Sequence, residues 1–100
     1  MDYEVPKETM LEKAHRLTTT DRRDEYGHPA DDFGRIARMW EVTLGCRVTA
    51  QQVALCMIQL KIARLIHSPD HEDSVLDIAG YANCIDMIRR RQAETANVKD

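Results

Sequence analysis

Four charged side chains in the second half of this sequence have a spacing that could support chemistry. Asp73 and Asp77 are four residues apart, which on a helix sets the two side chains about 5–6 Å from each other. Lys61 and Arg64 are three residues apart, so the two cations share one side of the preceding helix. Two carboxylates facing two cations have two interpretations, and the spacing leaves both open.

In the first interpretation the four charges form a buried ion-pair network without chemistry. In the second, the two aspartates bind Mg²⁺ and the two cations contact phosphate oxygens. Magnesium commonly takes one or two carboxylates, and water and substrate phosphates complete its coordination. From the spacing alone the structural network is favoured, because ion-pair networks are common in helical bundles.

A second group of polar residues lies in the segment 18–29, TTTDRRDEYGHP. Its three threonines weaken a helix, and Gly27 followed by Pro29 predicts that a short helical turn ends there. We therefore expect a connector that contains one extra turn. The charges in this connector are solvated or, alternatively, Arg22 or Arg23 and Tyr26 form one wall of a polar site.

The charged residues are positioned by a central helix that is predicted over residues 50–66. The segment contains no glycine or proline, and Thr49 is suited to cap its first turn. Apolar residues cover nearly its whole circumference, which predicts that neighbouring helices surround it. Lys61 and Arg64 would then lie inside the bundle and need acidic partners, because an unpaired buried charge is costly.

The full pattern predicts an all-α fold, a four-helix bundle forming a single domain over residues 1–100. The helices are expected at about residues 7–19, 31–44, 50–66 and 72–92. Pro6 suits the start of the first helix, and Asp31 or Asp32 suits the cap of the second. The ends of the chain, residues 1–5 and 93–100, are expected to be loose.

The predicted core follows from apolar residues at helical spacing. In the second helix the stripe consists of Phe33, Ile36, Ala37, Trp40 and Leu44. In the last helix the acidic pair lies on the line that continues into Cys84 and Ile88, so both carboxylates are expected to point inward. Cys56 and Cys84 fall in apolar stripes and are predicted to be buried, reduced thiols.

Composition and charge argue against several classes of function. The formal net charge of −3 gives no general attraction to nucleic acid or anionic membranes, and Arg89–Arg91 complements a helix dipole. The central apolar segment is too short and too polar to span a membrane. The acidic N-terminus has no signal-peptide pattern, so we expect a cytoplasmic protein. His67 and His71 cannot share a helical face as zinc ligands, because Pro69 separates them.

Three strings of this sequence, YGHPADDFGRIARMW, VALCMIQLKIARL and HEDSVLDIAGYA, resemble a family of small proteins encoded mainly by tailed phages and prophages. The family pattern is an arginine before Tyr-Gly, a later Trp, Lys-x-x-Arg, and Asp-x-x-x-Asp-x-x-Gly-Tyr. The resemblance covers residues 14–86 and implies a location in the host cell cytoplasm. The motif positions are Arg22 or Arg23, Tyr26, Gly27, Trp40, Lys61, Arg64, Asp73, Asp77, Gly80 and Tyr81.

That family in turn is similar to the all-α nucleoside triphosphate pyrophosphatases of the MazG-like and dimeric dUTPase-like group. The resemblance implies a MazG-like bundle that uses Mg²⁺ to release a nucleoside monophosphate and pyrophosphate. It implies metal ligation by Asp73 and Asp77. It further implies phosphate neutralisation by Lys61 and Arg64, with the nucleotide bordered by Arg22, Tyr26 and Tyr81.

The sequence departs from the pyrophosphatase pattern at both carboxylate motifs. Lys61-Ile62-Ala63-Arg64 stands where the enzymes carry Glu-x-x-Glu, and Ser74-Val75-Leu76-Asp77 stands where they carry Glu-x-x-Asp. The alternative function is therefore a non-catalytic helical module that binds a nucleotide or another protein.

The surplus of apolar surface predicts self-association. Four helices are too few to cover the central helix on every side, and Met39, Val42 and Met87 lie off the main stripes. We therefore expect a symmetric homodimer, or a higher homo-oligomer, since two-fold dimers are the commonest assemblies. In such a dimer, residues 22–28 of one subunit could border the acidic pair of the other.

Overall fold

The structure is a computed structural model that describes the backbone of residues 4–98. Helix α1 covers Met10–Arg16, a π-helical turn covers Leu17–Asp21, and α2 covers Arg22–Tyr26. Helices α3, α4 and α5 follow at Pro29–Leu44, Ala50–His67 and Glu72–Val98. No β-strand occurs within residues 4–98, and the predicted all-α helical bundle is confirmed.

The predicted connector at residues 18–29 is helical for most of its length. Helix α1, the π turn and α2 form one continuous run, so the prediction that the first helix ends near residue 19 was wrong. The threonine hydroxyls donate to carbonyls four residues earlier, from Thr18 to Ala14, Thr19 to His15 and Thr20 to Arg16. These bonds compete with the regular ladder, and the chain widens into a π turn instead of leaving the helix. Gly27 ends the run with a φ of 82°, as predicted.

Helix α3 is capped by His28, so the prediction of Asp31 or Asp32 as the cap was wrong. Pro29 occupies the first helical position, where its missing N–H costs nothing. Nδ1 of His28 accepts the backbone N–H of Ala30 at 3.0 Å. The proline therefore starts the helix at residue 29, two residues before the predicted start at residue 31.

Capping boxes start two of the other helices, α1 and α4. Thr49 and Gln52 exchange hydrogen bonds at the start of α4, which confirms the predicted cap. Thr9 and Glu12 do the same at the start of α1. The first helix therefore begins after Thr9 and not after Pro6.

The last helix is longer than predicted. It continues from Glu72 to Val98 over 27 residues, about 40 Å of helix, whereas the sequence indicated an end near residue 92. At the other end of the chain, residues 4 and 5 are outside any helix and exposed, as expected. The remaining residues of the predicted loose ends, 1–3 and 99–100, lie outside the described residues.

The core lies where α3, α4 and α5 meet. Its buried residues are Phe33, Ala37, Val48, Val53, Ala54, Cys84 and Ile88. Ile36 and Trp40 pack against this cluster, which confirms most of the predicted stripe of α3. Leu44 is exposed, because it is the last residue of that helix and extends past the core.

Only one side of α4 is packed. Val53 and Ala54 are fully buried, but apolar residues on other sides of the helix are exposed: Leu55, Leu60, Ile62 and Ile66. The prediction that neighbours surround α4 was wrong for a single chain, because α3 and α5 are the elements that pack against it. For the same reason Cys56 is exposed rather than buried, although Cys84 is buried as predicted.

Candidate functional site

A pocket lies between the first helical run and α5. Its volume is about 140 Å³, which is room for about five water molecules at about 30 Å³ each. A few polar side chains interrupt a mostly apolar wall, as is typical of ligand sites. We call it the Arg22 pocket, and its lining consists of Ala14, Leu17, Thr18, Arg22, Leu76, Asp77, Gly80, Tyr81 and Cys84.

The π turn forms one wall of the Arg22 pocket and packs against α5. In this turn the backbone N–H of Arg22 donates to the carbonyl of Leu17, five residues earlier. The buried Thr18 hydroxyl donates to the α1 backbone and accepts from Nδ2 of Asn83 at 2.7 Å. The two elements are in contact here, since a Cβ at Gly80 would lie 3.4 Å from Thr18 Cγ2. Such π turns occur frequently at functional sites.

Arg22 brings a cation to the pocket among aromatic rings. Its Cζ lies 4.9 Å from the ring centroid of Phe33, 5.0 Å from that of Tyr26 and 5.9 Å from that of Tyr81, within the range of cation–π contact. Its Nη2 donates to Oδ2 of Asp32 at 2.9 Å. Its Nε is buried and has no hydrogen-bond partner within residues 4–98. A buried donor without an acceptor costs about 1–3 kcal/mol, so Asp32 satisfies this guanidinium only in part.

Asp77 supplies the acidic group of the pocket, and Lys61 holds it. The Nζ of Lys61 lies 3.0 Å from Oδ2 of Asp77, and the two side chains are 12% and 32% exposed. The pair joins α4 to α5 and is partly removed from water. One pair of the predicted network is therefore present.

Arg64 does not join that network. It is exposed and borders a groove with Leu60, His67 and His71, and it forms no salt bridge with a described residue. The expectation that both cations of α4 point into the bundle was wrong for Arg64. Lys61 and Arg64 lie about 60° apart around the helix, and Arg64 is in the last turn of α4, where it is exposed.

The two aspartates of α5 line different grooves. Asp73 is exposed and borders α1 near Lys13 and Arg16, so the expectation that it points inward was wrong. Its first-turn position faces the α1 surface and not the core. Within residues 4–98 no three His, Cys, Asp or Glu side chains lie close enough together to bind a metal. Asp73 and Asp77 border different grooves, and Mg²⁺ binding by this pair of carboxylates stays a prediction.

Two further titratable groups of the pocket stay uncharged at neutral pH. Burial raises the pKa of the Tyr81 hydroxyl, and burial also raises the pKa of the Cys84 thiol. A protonated, fully buried thiol is a poor nucleophile. The Arg22 pocket therefore presents binding groups, a guanidinium and a carboxylate beside apolar surface, and no activated nucleophile.

The structure brings together four of the predicted site residues, namely Arg22, Asp77 and Tyr81 in the wall, with Lys61 behind Asp77. Tyr26 packs on Arg22 at the exposed rim. Arg64 and Asp73 lie at other surfaces. Arg22 and Asp77 meet within one chain, so a second subunit is not needed to unite them.

Thr18 and Asn83 were not identified from the sequence as site residues, and Asp32 was not identified as the partner of Arg22. Thr18 and Asn83 had one available signal, because a polar residue on a packed helix face needs a hydrogen-bond partner. Asp32 had no local signal as the partner of Arg22, since the turn between α2 and α3 brings the two together.

A family model described as a domain of unknown function, DUF6378, matches residues 9–89. The chain is 39% identical over 87 residues to the Gene 55 protein of Mycobacterium phage D29, covering 87% of the chain and 58% of that protein. It is 34% identical over 87 residues to the Gene 55 protein of Mycobacterium phage L5, covering 86% and 56%. The chain thus spans somewhat more than half the length of these relatives. No solved structure matches it.

The descriptions of these relatives name no activity, so the MazG-like resemblance and the reaction it implies stay predictions. None of the helices within residues 4–98 combines the length and the apolar character needed to cross a bilayer.

Proposed function

This chain belongs to the DUF6378 family, a domain of unknown function with phage-encoded relatives, and we propose that it binds a nucleoside phosphate at the Arg22 pocket. Binding is the function that the geometry supports best, because the pocket combines a cation, a carboxylate and apolar surface without an activated nucleophile.

The position of Arg22 is the observation that carries this proposal. Its guanidinium borders the pocket, and Asp32 accepts from only one of its nitrogens, Nη2. Guanidinium groups bind phosphate oxygens through fixed pairs of N–H donors. The surrounding rings hold the guanidinium plane and exclude water from one side, which strengthens its attraction for an anion.

The rest of the wall fits the uncharged part of such a ligand. Leu17, Leu76 and Tyr81 provide apolar surface against which a base can pack. Asp77 is paired with Lys61 through Oδ2, and its other oxygen can accept an amino hydrogen. The pocket volume admits one part of a nucleotide, so the remainder of the ligand lies at the rim beside Tyr26.

Isothermal titration calorimetry of the wild-type chain tests this proposal. The titrants are a panel of ribo- and deoxyribonucleoside mono- and triphosphates, with inorganic phosphate as control, first in EDTA and then with Mg²⁺. We expect at least one nucleotide to bind in EDTA with a Kd below about 1 mM and at least about tenfold tighter than phosphate, because the base adds apolar contact. Absence of binding across the whole panel would exclude a nucleotide site.

A second candidate is Mg²⁺-dependent release of pyrophosphate from a nucleoside triphosphate. It is favoured by one observation, that Asp77 borders the same pocket as Arg22. Pyrophosphate release from the triphosphate panel, with and without Mg²⁺, tests it. Under this candidate the wild type is active only with Mg²⁺, and Asp77→Asn loses more activity than Asp73→Asn. If the wild type releases no more pyrophosphate than Asp77→Asn from every triphosphate, the hydrolase candidate is rejected and binding alone remains.

A further inference from the structure

One side of α4 carries an apolar stripe that no described part of the chain covers. Leu55, Ile62 and Ile66 are 51%, 46% and 79% exposed. The three residues lie within about 40° of one another around the helix axis, and we call them the α4 stripe. The fully buried Val53 and Ala54 lie on other sides of the helix, towards the core.

No charged residue lies on or beside the α4 stripe within this helix. Its flanks are formed by Gln51, Gln52, Cys56, Ile58, Gln59 and Ala63. A two-fold interface brings a surface against a second copy of itself, so a charge of one sign near the axis would repel its equivalent. An uncharged stripe with amides at its edge avoids that repulsion and is compatible with its own copy.

The surface area of the chain also indicates a missing neighbour. A monomeric protein of this mass has an accessible surface of about 5,800 Å², whereas this chain exposes 7483 Å². The exposed end of α5 at residues 92–97 contributes part of the excess, and the α4 stripe contributes part of its apolar surface. A stable interface buries about 800 Å² on each partner, which is less than the excess of about 1,700 Å².

We propose that two copies of this chain associate through the α4 stripe in a two-fold symmetric homodimer, with the two α4 helices packed against each other. The Arg22 pocket is lined by α1, the π turn, α2 and α5, so each subunit keeps a complete pocket. A chain that does not dimerise could therefore still bind a ligand, and a chain that binds no ligand could still dimerise, so the two proposals are tested independently.

Static light scattering of the wild-type chain is the first test. At high micromolar concentration we expect twice the chain mass of 11.5 kDa, falling towards the chain mass on dilution. A mass of 11.5 kDa at every concentration would overturn the proposal and leave the α4 stripe available for a different protein.

Matched charge substitutions locate the interface. Ile62→Asp puts a charge in the α4 stripe and is expected to halve the mass while the helical circular dichroism is retained. Val42→Asp is the control, because Val42 is an apolar residue of α3 that is 85% exposed, and it is expected to keep the dimer mass. A dimer that survives Ile62→Asp, or that is lost with Val42→Asp alone, would contradict the assignment.

The two exposed cysteines give a test that does not depend on a substitution. Cys56 adjoins the α4 stripe, and Cys46 lies in the turn after α3. In the dimer Cys56 should react several-fold more slowly with a maleimide than Cys46, and dilution should remove that protection. Equal rates at a concentration where the mass is doubled would show that another surface forms the dimer.

Discussion

Lys61 and Arg22 differ in how completely their charges are neutralised. Lys61 is paired with Asp77 and is little exposed. Arg22 is paired with Asp32, whose other carboxylate oxygen lies 3.6 Å from Arg35, and the Nε of Arg22 has no acceptor within residues 4–98. Lys61 is therefore suited to hold α4 against α5, whereas Asp32 accepts only from the Nη2 of Arg22 and leaves the rest of that guanidinium unpaired.

The Lys61–Asp77 pair is expected to contribute to stability. Asp77→Asn leaves an ammonium group that is only 12% exposed without its counter-charge, and we expect it to lower the free energy of unfolding by about 1–2 kcal/mol. Urea denaturation measures this change. The double variant Lys61→Met/Asp77→Leu should recover most of the loss, because it removes both charges.

The control for that prediction is Asp86→Asn, which breaks a pair between two well-exposed side chains, Asp86 and Arg90. Exposed pairs contribute little, so the unfolding midpoint of this control should stay near that of the wild type. Equal losses from Asp77→Asn and Asp86→Asn would contradict a stabilising role that depends on burial.

At the scale of elements, the π turn determines where the pocket forms. It adds a wide turn between α1 and α2, and the bond between Thr18 and Asn83 ties that turn to α5. Arg22 is the first residue after the π turn, so its side chain reaches the aromatic rings of α2, α3 and α5. A regular α-helix over the same residues would direct Arg22 to a different side.

Some of these elements were predictable from local sequence signals and others were not. Thr49 and Gly27 act through their own chemistry, as a hydroxyl cap and a left-handed residue, so their roles could be predicted. The run of three threonines is compatible with a helix end or with a π turn in which the hydroxyls donate to backbone carbonyls. Packing against α5 decides between the two. The exposure of Ile62 depends on how many helices pack against α4, and the sequence of α4 alone does not determine that number. Asp77 was predicted at the site, but the groove that Asp73 borders depends on where α1 lies.

The cap of α3 predicts a pH dependence of stability. Burial, followed by the charges of Arg91 and Arg23, lowers the pKa of His28. The neutral ring is also the form whose Nδ1 accepts the N–H of Ala30. Because the folded pKa lies below the unfolded value of about 6.5, this contribution is complete above that pH. It is lost as the pH falls from there through the folded pKa.

Urea denaturation at pH 7.5 and pH 5.5 tests this dependence. His28→Asn keeps a capping side chain but removes the titration, so the wild type should lose more stability than His28→Asn as the pH falls. His67→Asn, at the exposed end of α4, is the control and should follow the wild type. If wild type and His28→Asn lose the same amount, the cap does not titrate as proposed.

The whole molecule is long and thin, and its two candidate surfaces involve different elements. Its extents are 55 × 31 × 20 Å and its radius of gyration is 15.5 Å, against about 13 Å for a compact domain of 100 residues. The Arg22 pocket is formed by the first helical run and α5, and the α4 stripe lies on the unpacked side of α4. Ligand binding and self-association can therefore be tested separately in the same chain.

The claim that Arg22 binds a nucleotide phosphate is tested most directly by comparing two neighbouring arginines. Arg23 has the same charge and is exposed, but it is not part of the pocket lining. Arg22→Gln and Arg23→Gln are titrated with the tightest nucleotide of the panel, after circular dichroism shows that both are folded. We expect Arg22→Gln to weaken binding at least about tenfold, or about 1.4 kcal/mol, and Arg23→Gln to change it less than about twofold. Equal weakening by both, which indicates general electrostatic attraction, or no weakening by Arg22→Gln would contradict this account.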